Sequence, residues 1–96
     1  TMEDLQLASE GKGVKDVLDG AFDAAGSNPC QIDGGLKCFG HPIGASGLRM
    51  LYENYLQLQG RAGARQLPDP KLGLNHNLGG FPHQNICSIS IVGPYG

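Results

Sequence analysis

Apolar residues recur at helical spacing between Gly44 and about Gly60. Each member of this stripe lies three or four positions from another member, opposite a polar side; the members are Leu48, Leu51, Tyr52, Tyr55 and Leu58. The pattern predicts an amphipathic helix. Its first turn, Gly44 to Gly47, has almost no side-chain volume, which weakens helix propensity but permits close approach of a neighbouring backbone. We therefore expect another segment to lie against this end of the helix.

A weaker helical pattern precedes it at the start of the chain. From Met2 to about Ala25, apolar residues alternate with charged ones, with an interruption at Gly11 to Gly13. This pattern predicts a short helical turn followed by an amphipathic helix that ends at Gly26. The stretch from Ser27 to Gly35 is rich in turn-forming residues and predicts a connection.

The last third of the chain has the character of strands. Leu67 to Lys71 contains a Pro-Asp-Pro loop, and the apolar stretch Leu72 to Leu78 follows it. The run from Ile86 to Val92 is β-branched and uncharged, which predicts a strand covered on both faces. The order of helix, loop, helix, strand and strand is that of an α/β or α+β protein. A sheet of two strands buries too little apolar surface to stand alone.

Composition sets the size and stability of the unit. The chain has 96 residues, of which 40% are hydrophobic and 17% charged, as expected for one soluble globular unit of at most one domain. Sixteen glycines and six prolines commit much of this short chain to turns and tight backbone passages. We therefore expect little stability in isolation.

Charge and cysteine content exclude several classes of function. The formal net charge of -2 gives no basic footprint for nucleic acid. No apolar run approaches the roughly 20 residues that a membrane-spanning helix needs, and the start of the chain lacks the pattern of a signal peptide. We expect a cytoplasmic protein without a membrane partner. Three cysteines without CxxC spacing indicate neither a disulfide framework nor a zinc site.

A histidine stands between glycine and proline just before the predicted helix. Gly40 lets the backbone approach a neighbour closely, and Pro42 fixes its own φ, so His41 lies on a rigid loop. A rigid imidazole suits a general base, and the nearby helix N-terminus favours an anion or thiolate. From the residues alone, the alternative stays open that His41 merely satisfies a turn carbonyl.

A second polar cluster runs from Leu74 to Pro82. Glycines at a strand end can present backbone N–H groups to an oxyanion, and Gly79 is the candidate donor. The alternative is a plain Gly79-Gly80 turn between two strands, capped by His76 and Asn77. His83 is expected to be a solvated turn residue. The three histidines have no metal-ligand spacing, so we expect no metal site.

Three segments together resemble the C-terminal end of the thiolase superfamily: Gly35 to Gly47, Leu56 to Gln66 and His76 to Gly80. Their order and spacing match over roughly Asp33 to Val92, and the Gly-His-Pro-x-Gly-Ala-Ser/Thr-Gly string is highly specific. The chain looks most similar to the sterol-carrier-protein type of thiolase and to bacterial and archaeal acetyl-CoA acetyltransferases.

The resemblance implies an α/β fold of two similar βαβαβαββ halves, layered α-β-α. This chain would supply the later part of the second half and would be incomplete on its own. Residues 1–33 would form a helical lead-in and loop. Residues 34–96 would hold the catalytic-histidine loop, the helix and the terminal strand pair.

The resemblance also implies an acyl-CoA C-acyltransferase that cleaves 3-ketoacyl-CoA or runs the reverse condensation. His41 would activate a cysteine in the absent N-terminal half, Gly79 would donate its N–H to an oxyanion, and His76 is a further catalytic candidate. Substrate-binding roles fall to Gly40, Pro42 and Asn77. Coenzyme A enters as a substrate, with no other cofactor. The expected partners are the N-terminal half, a second copy in a homo-oligomer and a small acyl-CoA-binding accessory protein.

The chain departs from the family pattern in two ways. None of Cys30, Cys38 and Cys87 occupies a context like that of the nucleophile, and Cys87 is expected in the core. Where many thiolases carry Cys-x-Gly, this chain has His76-Asn77-Leu78-Gly79, a substitution also found in the sterol-carrier type. Two rival functions remain: a thiolase-like aldolase, and a non-catalytic thiolase-like subunit or interaction module.

We predict that the isolated 96-residue chain has no thiolase activity. A general base without its nucleophile cannot form the acyl-enzyme that divides the reaction into two easier steps. Cleavage of acetoacetyl-CoA by the purified chain is the measurement, and turnover above the buffer background would contradict the prediction.

Overall fold

The computed structural model describes residues 1–94. Its elements are, in chain order, helices α1 (Gly13–Leu18), α2 (Gly35–Phe39) and α3 (Ser46–Leu58), a 3-10 turn (Gly63–Arg65), and strands β1 (Gly73–Phe81) and β2 (Gln84–Val92). The chain forms two compact units, Thr1–Ile32 and a second that begins at Asp33. Within the described residues, no helix combines the length and apolar character needed to cross a bilayer.

The first unit is less helical than its sequence predicts. The prediction of a long amphipathic helix that reaches Ala25 is wrong, because α1 spans only six residues and is followed by turns. Gly20 at φ 77° departs from helical geometry two residues after α1 ends. The carboxylate of Glu3 accepts hydrogen bonds from Gly11 N (3.0 Å) and Gly13 N (2.9 Å), which fixes the start of α1. These N–H groups, Gly11 first, hold the pKa of Glu3 below its ordinary value.

The second unit opens with a short helix that the sequence does not predict. The five residues of α2 follow Asp33, whose Oδ1 accepts a hydrogen bond from Gly35 N at 3.0 Å. Arg49 of α3 holds this helix at both ends. Its Nη1 lies 3.2 Å from Asp33 Oδ2, and its guanidinium carbon lies 4.0 Å from the ring centroid of Phe39.

Helix α3 confirms the helix that the apolar stripe predicts, but Leu48, Tyr52 and Tyr55 of that stripe are 71%, 55% and 49% exposed. The expected neighbour at its glycine-rich first turn is β1. A Cβ added at Gly47 would lie 3.6 Å from Asn77 Nδ2, so the side chain of Asn77 packs over this turn. Further along α3, Asn54 Nδ2 donates to Asn75 Oδ1 at 2.8 Å. These contacts join β1 to the helix at its first turn and again in its second half.

The two strands form an antiparallel hairpin whose register runs from Gly73 opposite Val92 to Phe81 opposite Gln84. The alternative of a turn at Gly79-Gly80 is wrong, because both glycines lie inside β1. The connection is Pro82-His83 instead. Proline at the first position and His83 at φ 65° at the second are the combination that a type II turn requires. His83 is exposed there, as predicted.

The apolar residues of β2 are open in this chain, so the prediction of a strand covered on both faces is wrong for the described residues. Ile86, Ile89 and Ile91 are 75%, 52% and 63% exposed. Ile89 and Ile91 lie on the face of the hairpin away from α3 and meet solvent there. Ile86 pairs with Gly79 on the α3 side, but it borders an open space that α3 does not fill. Within residues 1–94, the buried hydrophobic residues are Ala8 and Ala62.

Polar bonds, rather than apolar packing, hold the segment that follows α3. The carboxylate of Glu53 is 10% exposed and accepts hydrogen bonds from Arg65 Nε (3.2 Å) and Nη2 (2.9 Å). These bonds hold the pKa of Glu53 below its ordinary value despite the opposing effect of burial. Gln57 adds a bond from Nε2 to Arg65 O (2.7 Å) and accepts one from Leu67 N (2.9 Å). Residues 61–67 are thereby folded back against the helix.

We predict that the isolated chain melts without a sharp cooperative transition. Two buried alanines and a hairpin covered on one face bury too little apolar surface to offset the conformational entropy lost when 96 residues become ordered. Circular dichroism against temperature, with dye binding to exposed apolar surface, tests this. A steep, reversible melt of the monomer would contradict it.

We predict that Glu53→Gln destabilises the natural full-length protein at neutral pH by about 1 kcal/mol, the usual share of a partly exposed charged hydrogen bond. Because the folded-state pKa of Glu53 is lowered, this stabilisation is present above the ordinary value of 4.5 and is lost as the pH falls through the folded-state pKa.

Thermal melts of Glu53→Gln and of the unchanged protein at pH 7 and below pH 4 measure this difference. Glu10→Gln is the matched control, since Glu10 is an exposed carboxylate of the first unit. A deficit that persists undiminished in acid, or an equal deficit for the control, would show that the charge of Glu53 does not act as described.

Candidate active site

The Gly40-His41-Pro42 loop enters helix α3 through a fixed backbone path. Gly40 has φ 80° and ψ 177°, a region of backbone space that is open essentially to glycine alone. Two residues later, the carbonyl of Pro42 accepts hydrogen bonds from Ala45 N (2.9 Å) and Ser46 N (3.0 Å). The loop is therefore tied to the first turn of α3. This supports the prediction from sequence that His41 stands on a rigid segment.

The imidazole of His41 is held at one of its two nitrogens. Nδ1 lies 2.6 Å from Ser46 Oγ, and Ser46 Oγ lies 3.0 Å from Pro42 O. Ser46 itself is 3% exposed, whereas the histidine is open to solvent. The engaged nitrogen faces the helix. This leaves Nε2 as the ring nitrogen available to a reacting group.

Strand β1 presents polar residues to the same region. Alternation along the strand places Asn75, Asn77 and Gly79 on one face, the face that packs on α3. Between this face and the loop lies an open cleft of about 820 Å³, whose lining includes His41, Gly47, Asn77, Gly79 and Ser90. The cleft thus combines an imidazole, a carboxamide and an unhindered glycine backbone.

The residues singled out from the sequence fall into two groups. His41, Asn77 and Gly79 meet in this cleft, and Gly40 and Pro42 flank the histidine. His76 alternates with Asn75 and Asn77 and pairs with Ile89, so its side chain starts from the opposite face of β1.

Sequence reasoning did not single out Ser46 or Asn75, and both are nearly fully buried. A signal for Ser46 is present in the sequence. A serine in the first turn of a helix can bond the carbonyl three or four residues before it, and Pro42, the neighbour of His41, is four residues before Ser46. Asn75 gives no comparable signal, because its partner Asn54 is 21 residues away.

The three cysteines lie apart from this arrangement, since none is among the described residues that line the cleft. Cys30 belongs to the first unit, and burial raises the pKa of its thiol, which disfavours a thiolate. Cys38 lies on α2, and Cys87 pairs with Leu78 on the face of the hairpin away from α3. Across residues 1–94, histidine, cysteine and acidic side chains form no group able to hold a metal ion.

Comparison with known proteins gives the arrangement a context. The family described as thiolase C-terminal domain-like matches residues 1–91. Over 79 residues, 82% of this chain, it is 40% identical to an acetyl-CoA acetyltransferase of Methanothermobacter thermautotrophicus and 44% identical to sterol carrier protein 2 of Homo sapiens. A benzoylsuccinyl-CoA thiolase subunit of Thauera aromatica is 33% identical over 79 residues, 81% of this chain.

These matches cover only part of each relative. The aligned region is 21% of the acetyl-CoA acetyltransferase, 14% of sterol carrier protein 2 and 20% of the thiolase subunit. The family match, in contrast, extends over nearly the whole chain. The chain therefore belongs to the thiolase family, as a C-terminal domain of it.

Proposed function

We propose that this chain is the catalytic-histidine segment of an acyl-CoA C-acyltransferase, which cleaves 3-ketoacyl-CoA with free CoA or runs the reverse condensation. The observation that carries the proposal is the placement of His41. Its loop is fixed at the N-terminus of α3, its Nδ1 is engaged by Ser46, and its ring borders a cleft that also holds Asn77 and Gly79. A fixed imidazole with one free nitrogen beside such a cleft suits a general base.

In the proposed reaction, His41 takes the thiol proton of a cysteine that the rest of the protein supplies. The thiolate attacks the C3 carbonyl carbon of 3-ketoacyl-CoA, and the C2–C3 bond breaks. The electron pair stays on C2 as the enolate of acetyl-CoA, which takes up a proton from an acid of the site. The conjugate base of that acid then takes the thiol proton of free CoA, whose thiolate attacks the acyl-enzyme and forms the new thioester. The cysteine thiolate leaves and recovers its proton from His41.

The cleft also offers means to stabilise negative charge during these steps. Gly79 has no side chain, and a Cβ built there would meet no atom within 4 Å, so substrate can approach its backbone. The first turn of α3 adds the positive end of a 13-residue helix, whose N-cap residue Ala45 provides no side-chain cap. We propose Gly79 as an oxyanion donor and Asn77 as a substrate contact. His76, on the far face of β1, shapes the strand in this proposal.

The exposed apolar faces support the larger fold proposed here. Leu78, Ile89 and Ile91 are 64%, 52% and 63% exposed, and a hairpin with such a face is stable inside a sheet that helices cover. We propose that the hairpin belongs to a wider sheet in an α-β-α layered thiolase half. The N-terminal half of the protein would carry the nucleophilic cysteine.

Relatives named sterol carrier protein 2 favour lipid-derived acyl-CoA as the substrate class of this chain. The name of the acetyl-CoA acetyltransferase relative points to short acyl groups. In either case, the chemistry proposed for this chain requires a 3-ketoacyl thioester of CoA. Acyl chain length would be decided by residues outside this segment.

We predict that His41→Asn in the natural full-length protein lowers the rate of cysteine acylation by roughly 10²- to 10⁴-fold, the usual share of a positioned acid or base. Asparagine keeps a polar side chain on the loop but has no basic nitrogen. Folding should therefore remain largely intact. Single-turnover acylation with acetoacetyl-CoA and thermal melting, on the same preparation, measure the two effects separately.

The matched control is His83→Asn, since His83 is exposed in the hairpin turn and asparagine tolerates its positive φ. Acylation by this control should stay near that of the unchanged protein. If His41→Asn instead lowers the melting temperature while each folded molecule acylates normally, His41 only satisfies the turn. The segment would then act as a non-catalytic module.

A further inference from the structure

Two short contacts meet at the hydroxyl of Ser46, and each needs a hydrogen. Ser46 Oγ lies 2.6 Å from His41 Nδ1 and 3.0 Å from Pro42 O. A carbonyl oxygen only accepts, so the contact with Pro42 O contains a hydrogen only if Ser46 donates it. Ser46 has a single hydroxyl hydrogen. The hydrogen between Ser46 and His41 must therefore come from the ring, as Nδ1–H.

The opposite arrangement leaves one contact without a hydrogen. If Ser46 donated to Nδ1, its oxygen would face the carbonyl oxygen of Pro42 at 3.0 Å with nothing between them. Ser46 is 3% exposed, so water has little access to compensate for that pairing. The relay from Nδ1–H to Ser46 Oγ and from Ser46 O–H to Pro42 O satisfies every group.

We propose that Ser46 is a positioning residue that holds neutral His41 in the Nδ1–H tautomer, so that Nε2 is the basic nitrogen. This inference rests on the proposed function, because it names the atom through which His41 acts. Ser46 is itself placed by α3, since its backbone N–H also donates to Pro42 O at 3.0 Å. The helix that carries Ser46 therefore determines the protonation pattern of the loop before it.

The same relay accommodates the proton that His41 receives. Imidazolium carries hydrogens on both ring nitrogens, so Nδ1–H continues to donate to Ser46 and the hydroxyl continues to donate to Pro42 O. No group around Nδ1 has to rotate when Nε2 takes the thiol proton. The hydrogen bond from Nδ1–H to Ser46 is thus kept in both the neutral and the protonated ring.

The tautomer can be read directly from the ring nitrogens. The natural full-length protein, labelled with ¹⁵N in histidine, is examined by NMR at alkaline pH, where the ring is neutral, and the His41 signals are assigned by their loss in His41→Asn. We expect the Nδ1–H pattern in the unchanged protein. Ser46→Ala should move His41 toward the Nε2–H tautomer and Ser46→Thr should restore the pattern. Ser27→Ala is the control, since Ser27 is an exposed serine of the first unit.

The same variants are compared in single-turnover acylation. Ser46→Ala should lower the acylation rate about 10- to 100-fold, the share of a hydrogen bond to a charged group, and Ser46→Thr should recover most of that loss. An Nε2–H pattern in the unchanged protein would overturn the inference, even if Ser46→Ala fails to fold. Ser46→Ala that keeps the Nδ1–H pattern, or acylates normally, would overturn it as well. Because the NMR measurement needs no turnover, it stays decisive if the proposed thiolase reaction is absent.

Discussion

The close packing of the first turn of α3 on β1 is the contact on which the site depends. The side chain of Asn77 packs against Gly47, and about two turns further along the helix Asn54 donates a hydrogen bond to Asn75. A Cβ at Gly47 would lie in ordinary van der Waals contact with the amide of Asn77, so this turn packs directly against that side chain. The packing places the histidine loop, which enters the first turn of α3, beside the strand that carries Gly79.

Electrostatic contacts of α3 hold both the segment that precedes the histidine loop and the segment that follows the helix. Arg49 joins the start of α2 to α3 through Asp33 and lies over the ring of Phe39, directly before the histidine loop. One turn later, Glu53 holds Arg65 and so directs the chain back toward β1. Arg49 also lies 3.7 Å from Glu53. One face of α3 thus links the segment before the site with the segment after it.

Much of the site could be predicted from the sequence, because its parts have strong local signals. The apolar stripe specifies α3, and the β-branched run specifies β2. The Gly40-His41-Pro42 string marks the loop that the structure places at the cleft. The errors arise where tertiary contacts override local pattern. Helix α1 is shorter than its stripe, and α2 depends on Arg49, a contact between residues distant in sequence that no periodicity reveals.

The glycine pair Gly79-Gly80 shows the limit of turn propensity. Two glycines usually mark a turn, but here they continue β1 and the turn falls at Pro82-His83. The backbone at Gly80 shows why the strand has glycine at this position. Its φ is 116°, and a Cβ there would lie 2.6 Å from Gln84 O, so only glycine lets the two strands approach at this point. The pair therefore reflects a close backbone approach, which a sequence alone does not distinguish from a turn.

The orientation of His41 and the stability of the fold depend on different interactions. The groups that orient His41 lie within six residues of one another, and they are polar and directional. The apolar faces of the hairpin and of α1 remain exposed within the described residues. Directional bonds specify geometry but contribute little net stability, whereas apolar burial supplies most of the stability. The segment can therefore encode the orientation of its histidine locally, while the free energy that keeps this orientation populated has to come from surfaces that cover those apolar faces.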